Sequence, residues 1–111
     1  MVWQGEPALT LPDNSQLLFS REMGLGLALN KATKLRISAR QGGERFKPDR
    51  ERPTRTLKHL LQEAQIPPWL RARLPLIYCE DTLAAVPGIG VACELQAEPE
   101  EMGLVIAWQQ G

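Results

Sequence analysis

Residues 40–78 read RQGGERFKPDRERPTRTLKHLLQEAQIPPWLRARLPLIY, and the rest of the sequence is organised around this basic run. Twelve of the 13 lysines and arginines lie between Lys31 and Arg73, together with only four acidic residues, so this window carries a net charge of +8. The flanking residues carry the balancing −8, because the whole chain sums to zero. A local field of this size, rather than the total charge, selects a partner.

The middle of the stretch has helical periodicity. The apolar residues at spacings i, i+3, i+4 and i+7 are Leu57, Leu60, Leu61 and Ala64. Thr54 or Thr56 is the candidate N-cap, and Ile66-Pro67-Pro68 ends the helix. The outer face of this helix is polar and carries Arg55, His59 and Gln62, with Lys58 at its edge. We therefore predict one main helix with a leucine face buried and a basic face exposed.

Two cations stand at the predicted start of this helix, where the helix dipole disfavours positive charge. A phosphate at that end would make Arg55 and Lys58 favourable, because it would contact them together with the first backbone N–H groups. The alternative is that both are ordinary exposed helix cations, either of which could pair with Glu51. These residues alone favour phosphate contact.

Pro67 and Pro68 suit the start of a second, short helix, because a missing N–H costs little there. Within it, Trp69 and the leucines at 70 and 74 are predicted to pack inward, which leaves Arg71 and Arg73 nearer to solvent. Trp69 could instead stack on a nucleobase, but a tryptophan beside two prolines and a leucine is more often a core residue.

The remaining sequence is typical of strands. Short apolar segments broken by Gly and Pro fill residues 1–30 and predict a β meander. Leu35, Ile37 and Ala39 alternate with polar residues, so a strand there would bury these three and place Arg36 and Arg40 on its other face. A solvated strand face is the alternative for that pair.

Beyond Pro75, two apolar runs flank a tight Glu80-Asp81 turn and predict a hairpin, followed by a strand-like run IGVACEL. An acidic loop then leads to GLVIAW, a predicted buried strand. Together these features predict an α+β fold, with sandwich-like β-strands, one main helix and a short second helix. Residues 1–111 are expected to form one domain.

Cys79 and Cys93 lie in apolar runs without a CxxC or Cys/His cluster, which favours buried thiols in a reducing compartment over a disulfide or metal pair. The sequence has no stretch approaching 18 apolar residues and no leader-like N-terminus. We therefore expect a soluble, cytoplasmic protein that makes no membrane contact and holds no metal.

The sequence offers few parts for catalysis. His59 is the one histidine, and it lies among cations rather than beside a nucleophile, so a small hydrolase using His59 has no partner residue to support it. The adjacent carboxylates Glu80 and Asp81 are explained by the hairpin turn. The patterns GxxxxGK[ST] and HExxH are absent, and the two GxG pairs are weak signals. The sequence therefore predicts binding without catalysis.

Phosphate-rich RNA suits the predicted basic surface, provided that the helix packs over the sheet edge. Exposed aromatic residues are few, which favours the backbone of a structured duplex over a stacked single strand. The residues predicted to bind RNA are Arg36, Arg40, Arg45, Lys47, Arg55, Lys58, Arg71 and Arg73.

Three segments, RQGGERFKP (residues 40–48), TLKHLLQEAQIPPWLRARLPLIY (56–78) and LAAVPGIGV (83–91), resemble the C-terminal domain of bacterial tRNA-Ile lysidine synthetases. The resemblance implies an α+β domain with an unusual β-sandwich, placed near the tRNA acceptor stem. In that family an N-terminal ATP-pyrophosphatase domain with an SGGxDS loop adenylates the wobble cytidine and joins lysine to it. This sequence has no such loop, so the resemblance implies tRNA recognition without catalysis and no cofactor here, with ATP and lysine used by the other domain.

The resemblance carries over to named positions, which are Arg40, Gly43, Arg45, Phe46, Pro48, Lys58, Pro67, Trp69, Arg71 and Pro75. The chain departs from many relatives at Arg50, where they have glycine. The resemblance therefore does not predict the conformation of the loop after Pro48 or its phosphate contacts. The implied partners are tRNA-Ile and the catalytic domain of the same enzyme, with a homodimer as a further expectation. The alternative function is a protein docking module for that catalytic domain, in which the acidic flank from Glu98 to Glu101 and the basic window serve intra- or intermolecular docking.

Overall fold

Two four-stranded antiparallel sheets pack face to face, and a small helical layer covers the outer side of the second sheet. The structure is a computed structural model and describes residues 1–110. Its strands are β1 (Ala8–Thr10), β2 (Gln16–Met23), β3 (Leu27–Ala28), β4 (Leu35–Ala39), β5 (Arg45–Phe46), β6 (Arg55–Thr56), β7 (Pro75–Cys79), β8 (Thr82–Val86), β9 (Gly90–Val91) and β10 (Met102–Gln109). The helices are α1 (Leu57–Glu63) and α2 (Pro68–Arg71), with short 3₁₀ turns at Leu29–Lys31 and Cys93–Leu95.

The first sheet has the strand order β1-β2-β10-β3. The longest pairing in this sheet is the antiparallel one between β2 and β10, whose register runs from Met23 opposite Met102 to Gln16 opposite Gln109. Gly103 lets the turn before β3 lie against β10, since a Cβ at this position would stand 1.5 Å from the carbonyl oxygen of Leu25. The sequence therefore needs glycine there for a close backbone approach.

The second sheet has the strand order β4-β7-β8-β9. The hairpin between β7 and β8 turns at Glu80-Asp81, where Glu80 has a φ of 54°, so the turn adopts the left-handed backbone that tight hairpins require. The N-terminal residues extend the β4 edge, because Ile37 N donates to Met1 O at 2.8 Å and Trp3 N to Leu35 O at 3.0 Å.

The core between the sheets comes from alternating strand residues, which point to the same face at every second position. Its buried members are Leu11, Leu17, Phe19, Leu27, Leu35, Ile37, Ile77, Ala84, Ala85 and Leu104. The opposite face of the second sheet forms a second core with α1. That cluster contains Phe46, Leu57, Leu60, Leu61, Leu74, Leu76, Val86 and Ala92.

The predicted fold class is confirmed, as are the hairpin at Glu80-Asp81, the buried face of α1 and the N-cap at Thr56, whose hydroxyl accepts from His59 N at 3.2 Å. Several local predictions were wrong. Ala39 is exposed, because β4 is ending there and no element covers it. Cys93 lies in a 3₁₀ turn rather than a strand, since only Gly90–Val91 pair with β8, and both cysteines are free and half-buried rather than buried.

The prediction for Trp69 was also wrong, since its side chain is 72% exposed. α2 is a single turn whose inward positions are Pro67, Leu70, Arg71 and Leu74, at the spacing i, i+3, i+4 and i+7. Trp69 is two residues from the first of these, about 200° around the helix axis at 3.6 residues per turn, and so points away from the core. Arg71 is half-buried instead of solvent-facing.

Within residues 1–110, no helix is long and apolar enough to cross a membrane. The same part of the chain holds no group of three or more histidine, cysteine or acidic side chains that could hold a metal ion.

Candidate nucleic-acid interface

Arg36 lies on the outer face of the second sheet, the face that α1 covers. It pairs across the ladder with Tyr78, and two residues on, Ser38 pairs with Leu76 of the core under α1. The Arg36 guanidinium sits 4.6 Å from the centroid of the Tyr78 ring, a cation–π contact. Its Nη2 also donates to the Glu80 carbonyl oxygen at 3.4 Å. The side chain is exposed, and Arg36 forms no ion pair with a carboxylate of residues 1–110.

A glycine turn connects this sheet edge to the helix. Gly42 and Gly43 have φ of 96° and 80°, and the Glu44 carboxylate folds back to accept from Gln41 N at 2.7 Å and from Gly42 N at 3.2 Å. The Glu44 carbonyl oxygen accepts from Leu57 N at 2.8 Å. A groove of about 350 Å³ lies between this turn and the Arg36 and Tyr78 side chains.

The ribbon of β5 and β6 carries two of the predicted cations, Arg45 and Arg55, to the start of α1, and Lys47 directly follows β5. Arg45 pairs with Thr56 in its register and donates from Nη2 to the Thr54 carbonyl oxygen at 3.3 Å. Arg45 and Lys47 line one groove of about 230 Å³. Arg55 pairs opposite Phe46, whose buried ring anchors the ribbon to the second core.

Arg55 therefore precedes the helix, and its predicted place in the first helical turn was wrong. The ribbon decides this, since its pairing keeps Arg55 and Thr56 extended up to the N-cap. Lys58 is the one predicted cation in α1, and it is exposed. Within residues 1–110, neither Arg55 nor Lys58 forms an ion pair.

Arg40 and Arg71 contact each other and support the α2 turn. Arg71 Nε donates to the Ile66 carbonyl oxygen at 2.6 Å, and Arg40 Nη1 donates to the Arg71 carbonyl oxygen at 3.4 Å. Both side chains are half-buried, and Arg40 Nε is buried without a hydrogen-bond partner in the described structure. These two guanidinium groups bind backbone carbonyls of the fold and are less available to a ligand than the exposed cations.

Arg73 is held by the first sheet. Its Nε contacts Asp13 Oδ2 at 2.9 Å, and its guanidinium lies 6.0 Å from the Trp108 ring centroid. Hydrogen bonds from the Ser15 hydroxyl and backbone N–H, together with the one from Arg73, lower the pKa of Asp13 to about 2. The structure therefore does not bring Arg73 to the cations around α1.

Other cations of the basic window are paired with carboxylates. Arg52 contacts Glu63 at 2.7 Å, which lowers the pKa of Glu63 and raises that of Arg52. Arg50, at the position where the chain departs from many relatives, reaches Glu98 at 3.9 Å and donates to the Cys93 carbonyl oxygen at 3.4 Å. His59 also lies 3.4 Å from Glu63. Acidic residues thus neutralise one side of the α1 layer.

Of the eight predicted residues, five lie on the elements around the start of α1 or directly beside them, which are Arg36, Arg45, Lys47, Arg55 and Lys58. We call these five residues the α1 basic group. The sequence prediction missed Tyr78, whose ring lies beneath Arg36, and it wrongly preferred a core position for the exposed Trp69 over the alternative of base stacking. Tyr78 could have been found only from the pairing register of β4 and β7, which places it opposite Arg36. For Trp69 the sequence held no signal, because a helix of one turn is too short to show which face is exposed.

Residues 35–108 match the family model described as TilS substrate C-terminal domain. The tRNA(Ile)-lysidine synthase of Nitrosomonas europaea is 46% identical over 111 residues, which cover 97% of this chain and 24% of that protein. The enzyme of the same name from Coxiella burnetii is 40% identical over 103 residues, covering 91% of this chain and 23% of the relative. This chain thus spans about a quarter of the length of these curated relatives.

The fold also has a solved counterpart, described as the crystal structure of TILS C-terminal domain. The two superpose with a TM-score of 0.69 at 21% identity, over 93% of this chain and 89% of the other. The family resemblance noted from the loop, helix and proline motifs is therefore confirmed by both sequence and fold. This chain belongs to the family of TilS substrate C-terminal domains.

Proposed function

We propose that this chain binds the structured part of a tRNA through phosphate contacts and performs no catalysis itself. The observation that carries the proposal is the α1 basic group, whose members form no ion pair with a carboxylate of residues 1–110, although acidic residues neutralise Arg50 and Arg52 of the same basic window. Cations without an internal counter-ion favour an anionic partner.

The partner we propose is tRNA(Ile), since the relatives carry the name tRNA(Ile)-lysidine synthase. These relatives are about four times as long as this chain, and any use of ATP and lysine would belong to their other parts. We propose no cofactor for this domain. Three of the five cations sit on paired strands, whose fixed geometry suits recognition of a duplex backbone by its shape.

Binding to a tRNA(Ile) transcript should depend steeply on salt. If the α1 basic group neutralises about five phosphates, the logarithm of the association constant should fall with the logarithm of the salt concentration with a slope of roughly −4. Fluorescence anisotropy of a labelled transcript over a salt series measures this slope. An affinity that does not change with salt would exclude the proposal.

The double variant Arg55→Ala/Lys58→Ala should bind the transcript more weakly and reduce the steepness of the slope by about 2, because two phosphate contacts are lost. Both side chains are exposed and make no ion pair within residues 1–110, so thermal unfolding should be unchanged. Arg21→Ala is the matched control, since this exposed arginine lies on β2 of the other sheet. Equal affinity of the double variant and the control would contradict the proposal.

A protein docking module is the second candidate function. It is favoured by an apolar groove of about 430 Å³ between the sheets, beside which Leu25 is 56% exposed. The docked surface would be the catalytic part of the longer relatives or a second copy of this chain. Size-exclusion chromatography with and without tRNA separates the two functions, because a docking module alone gives no RNA-dependent shift.

A further inference from the structure

Trp69 is the most exposed large apolar side chain in residues 1–110, at 72% of its surface. An indole ring is among the largest apolar groups a chain can bury, and folding usually removes much of it from water. Neither core includes Trp69, and no hydrogen bond of its ring nitrogen holds it in place within the described residues. The fold therefore gives no reason for a tryptophan at this position.

The backbone that carries Trp69 is fixed on both sides. Pro67 and Pro68 restrict φ immediately before it, and the Pro67 carbonyl oxygen accepts from Leu70 N at 3.0 Å and from Arg71 N at 3.1 Å. The two arginine contacts described above, to the carbonyl oxygens of Ile66 and Arg71, close the turn from the other side. An aromatic side chain on a rigid turn loses little entropy when it contacts a partner.

The surroundings of Trp69 select the chemistry of that partner. No carboxylate occurs in residues 64–79 of the sequence. Arg71 follows Trp69 by two residues and contacts Arg40. Neither arginine forms an ion pair within residues 1–110, whereas Arg73 is paired with Asp13. A ligand that fits both features has a flat π face beside negative charge. A nucleotide has both, since its base stacks on aromatic rings and its phosphate contacts cations.

We propose that Trp69 stacks on an unpaired nucleobase of the bound RNA. The inference rests on the proposed function and extends it, because the α1 basic group is proposed to contact only the phosphate backbone and makes no contact with a base. Inside a duplex both faces of each base are covered by neighbouring pairs. Trp69 would therefore direct the domain to a tRNA region where a helix meets single-stranded nucleotides.

The test compares the 111-residue chain with its Trp69→Ala and Trp69→Phe variants on a tRNA(Ile) transcript and on a long, fully paired RNA duplex. Loss of one stacked base should weaken transcript binding of Trp69→Ala roughly 5- to 150-fold. Trp69→Phe should keep most of the affinity, and all three proteins should bind the duplex equally. The salt slope of Trp69→Ala should equal that of the unsubstituted chain, because no phosphate contact is lost.

Intrinsic tryptophan fluorescence gives an independent measurement. The transcript should quench the emission of the unsubstituted chain more than that of Trp69→Phe, because the other tryptophans, Trp3 and Trp108, are partly buried. Circular dichroism of both variants checks that the fold is intact. If Trp69→Ala unfolds, the test uses Trp69→Phe instead. Equal quenching by the transcript in Trp69→Phe and in the unsubstituted chain would then overturn the inference.

The inference is also overturned if Trp69→Ala binds the transcript as tightly as the unsubstituted chain, or if it loses affinity equally for transcript and duplex. If either of these results is found while the Arg55→Ala/Lys58→Ala variant still loses affinity for the transcript, the proposed function stands and only the stacking contact is wrong. If no variant binds RNA, both fail together. If Trp69→Ala instead disrupts self-association without changing RNA affinity, Trp69 is a protein contact and the inference is wrong.

Discussion

At the residue scale, the arginines of the basic window have two different roles that their sequence positions do not reveal. Arg40 and Arg71 donate to backbone carbonyl oxygens, whereas Arg55 projects from a strand without an ion pair in residues 1–110. Alanine at Arg40 or Arg71 would therefore disturb the α2 turn as well as any RNA contact. Variants of Arg55 and Lys58 give the clearer test of binding.

Asp13 predicts how stability depends on pH. Its pKa is lowered from 3.8 to about 2 by the hydrogen bonds from Ser15 and Arg73, so the carboxylate stabilises the fold above pH 3.8 and this stabilisation is lost as the pH falls through 2. The unsubstituted chain should unfold at a higher urea concentration than Asp13→Asn at neutral pH. This difference should shrink steadily as the pH approaches 2.

Urea unfolding at a series of pH values measures the effect, with Asp81→Asn as a variant that removes a surface carboxylate from the hairpin turn. A difference between Asp13→Asn and the unsubstituted chain that stays constant down to pH 2 would contradict the assigned hydrogen bonds.

At the element scale, local patterns succeeded where an element is long or its turn is distinctive. Leucine spacing predicted the buried face of α1, and Glu80-Asp81 predicted the β7–β8 hairpin. Local patterns failed where an element has only two to four residues. The β5–β6 ribbon depends on Phe46 pairing with Arg55, and one helical turn at α2 left the direction of Trp69 to its tertiary contacts. Such contacts override local propensity and cannot be read from spacing.

The N-cap of α1 should contribute measurably to stability. Thr56→Ala removes the hydroxyl that accepts from His59 N, so the free energy of unfolding should fall by about 1 kcal/mol. Thr54→Ala is the matched control, since Thr54 is also exposed but caps no helix. Urea unfolding monitored by circular dichroism compares the two, and an equal loss in both variants would show that the cap is not the cause.

At the scale of the whole molecule, the two cores separate the structural and binding layers. The first core joins the sheets, and the second fixes α1 and the β5–β6 ribbon on the outer face, where the α1 basic group lies. The sequence predicted the sandwich and the helices, but not that β10 would lie between β2 and β3. That order depends on contacts between residues far apart in sequence, for which the local pattern holds no information.

Leu104 tests the first core, because it is 2% exposed on the central strand β10. Leu104→Ala should lower the free energy of unfolding by about 2–5 kcal/mol through the lost contacts and the remaining cavity. Gln109→Ala on the same strand is exposed and should cost far less. Chemical denaturation of both variants measures the contrast, and a loss below that of Gln109→Ala would argue against this sheet order.

The position of β10 also determines when the fold can form during translation. A ribosome makes β2 and β3 before β10, the strand that pairs with both, so each of those strands has an unpaired edge in the nascent chain until β10 has been made. Such edges are templates for pairing with other chains. We therefore expect this sheet to be most vulnerable to aggregation just before β10 leaves the exit tunnel, and holdase chaperones to act on it in that interval.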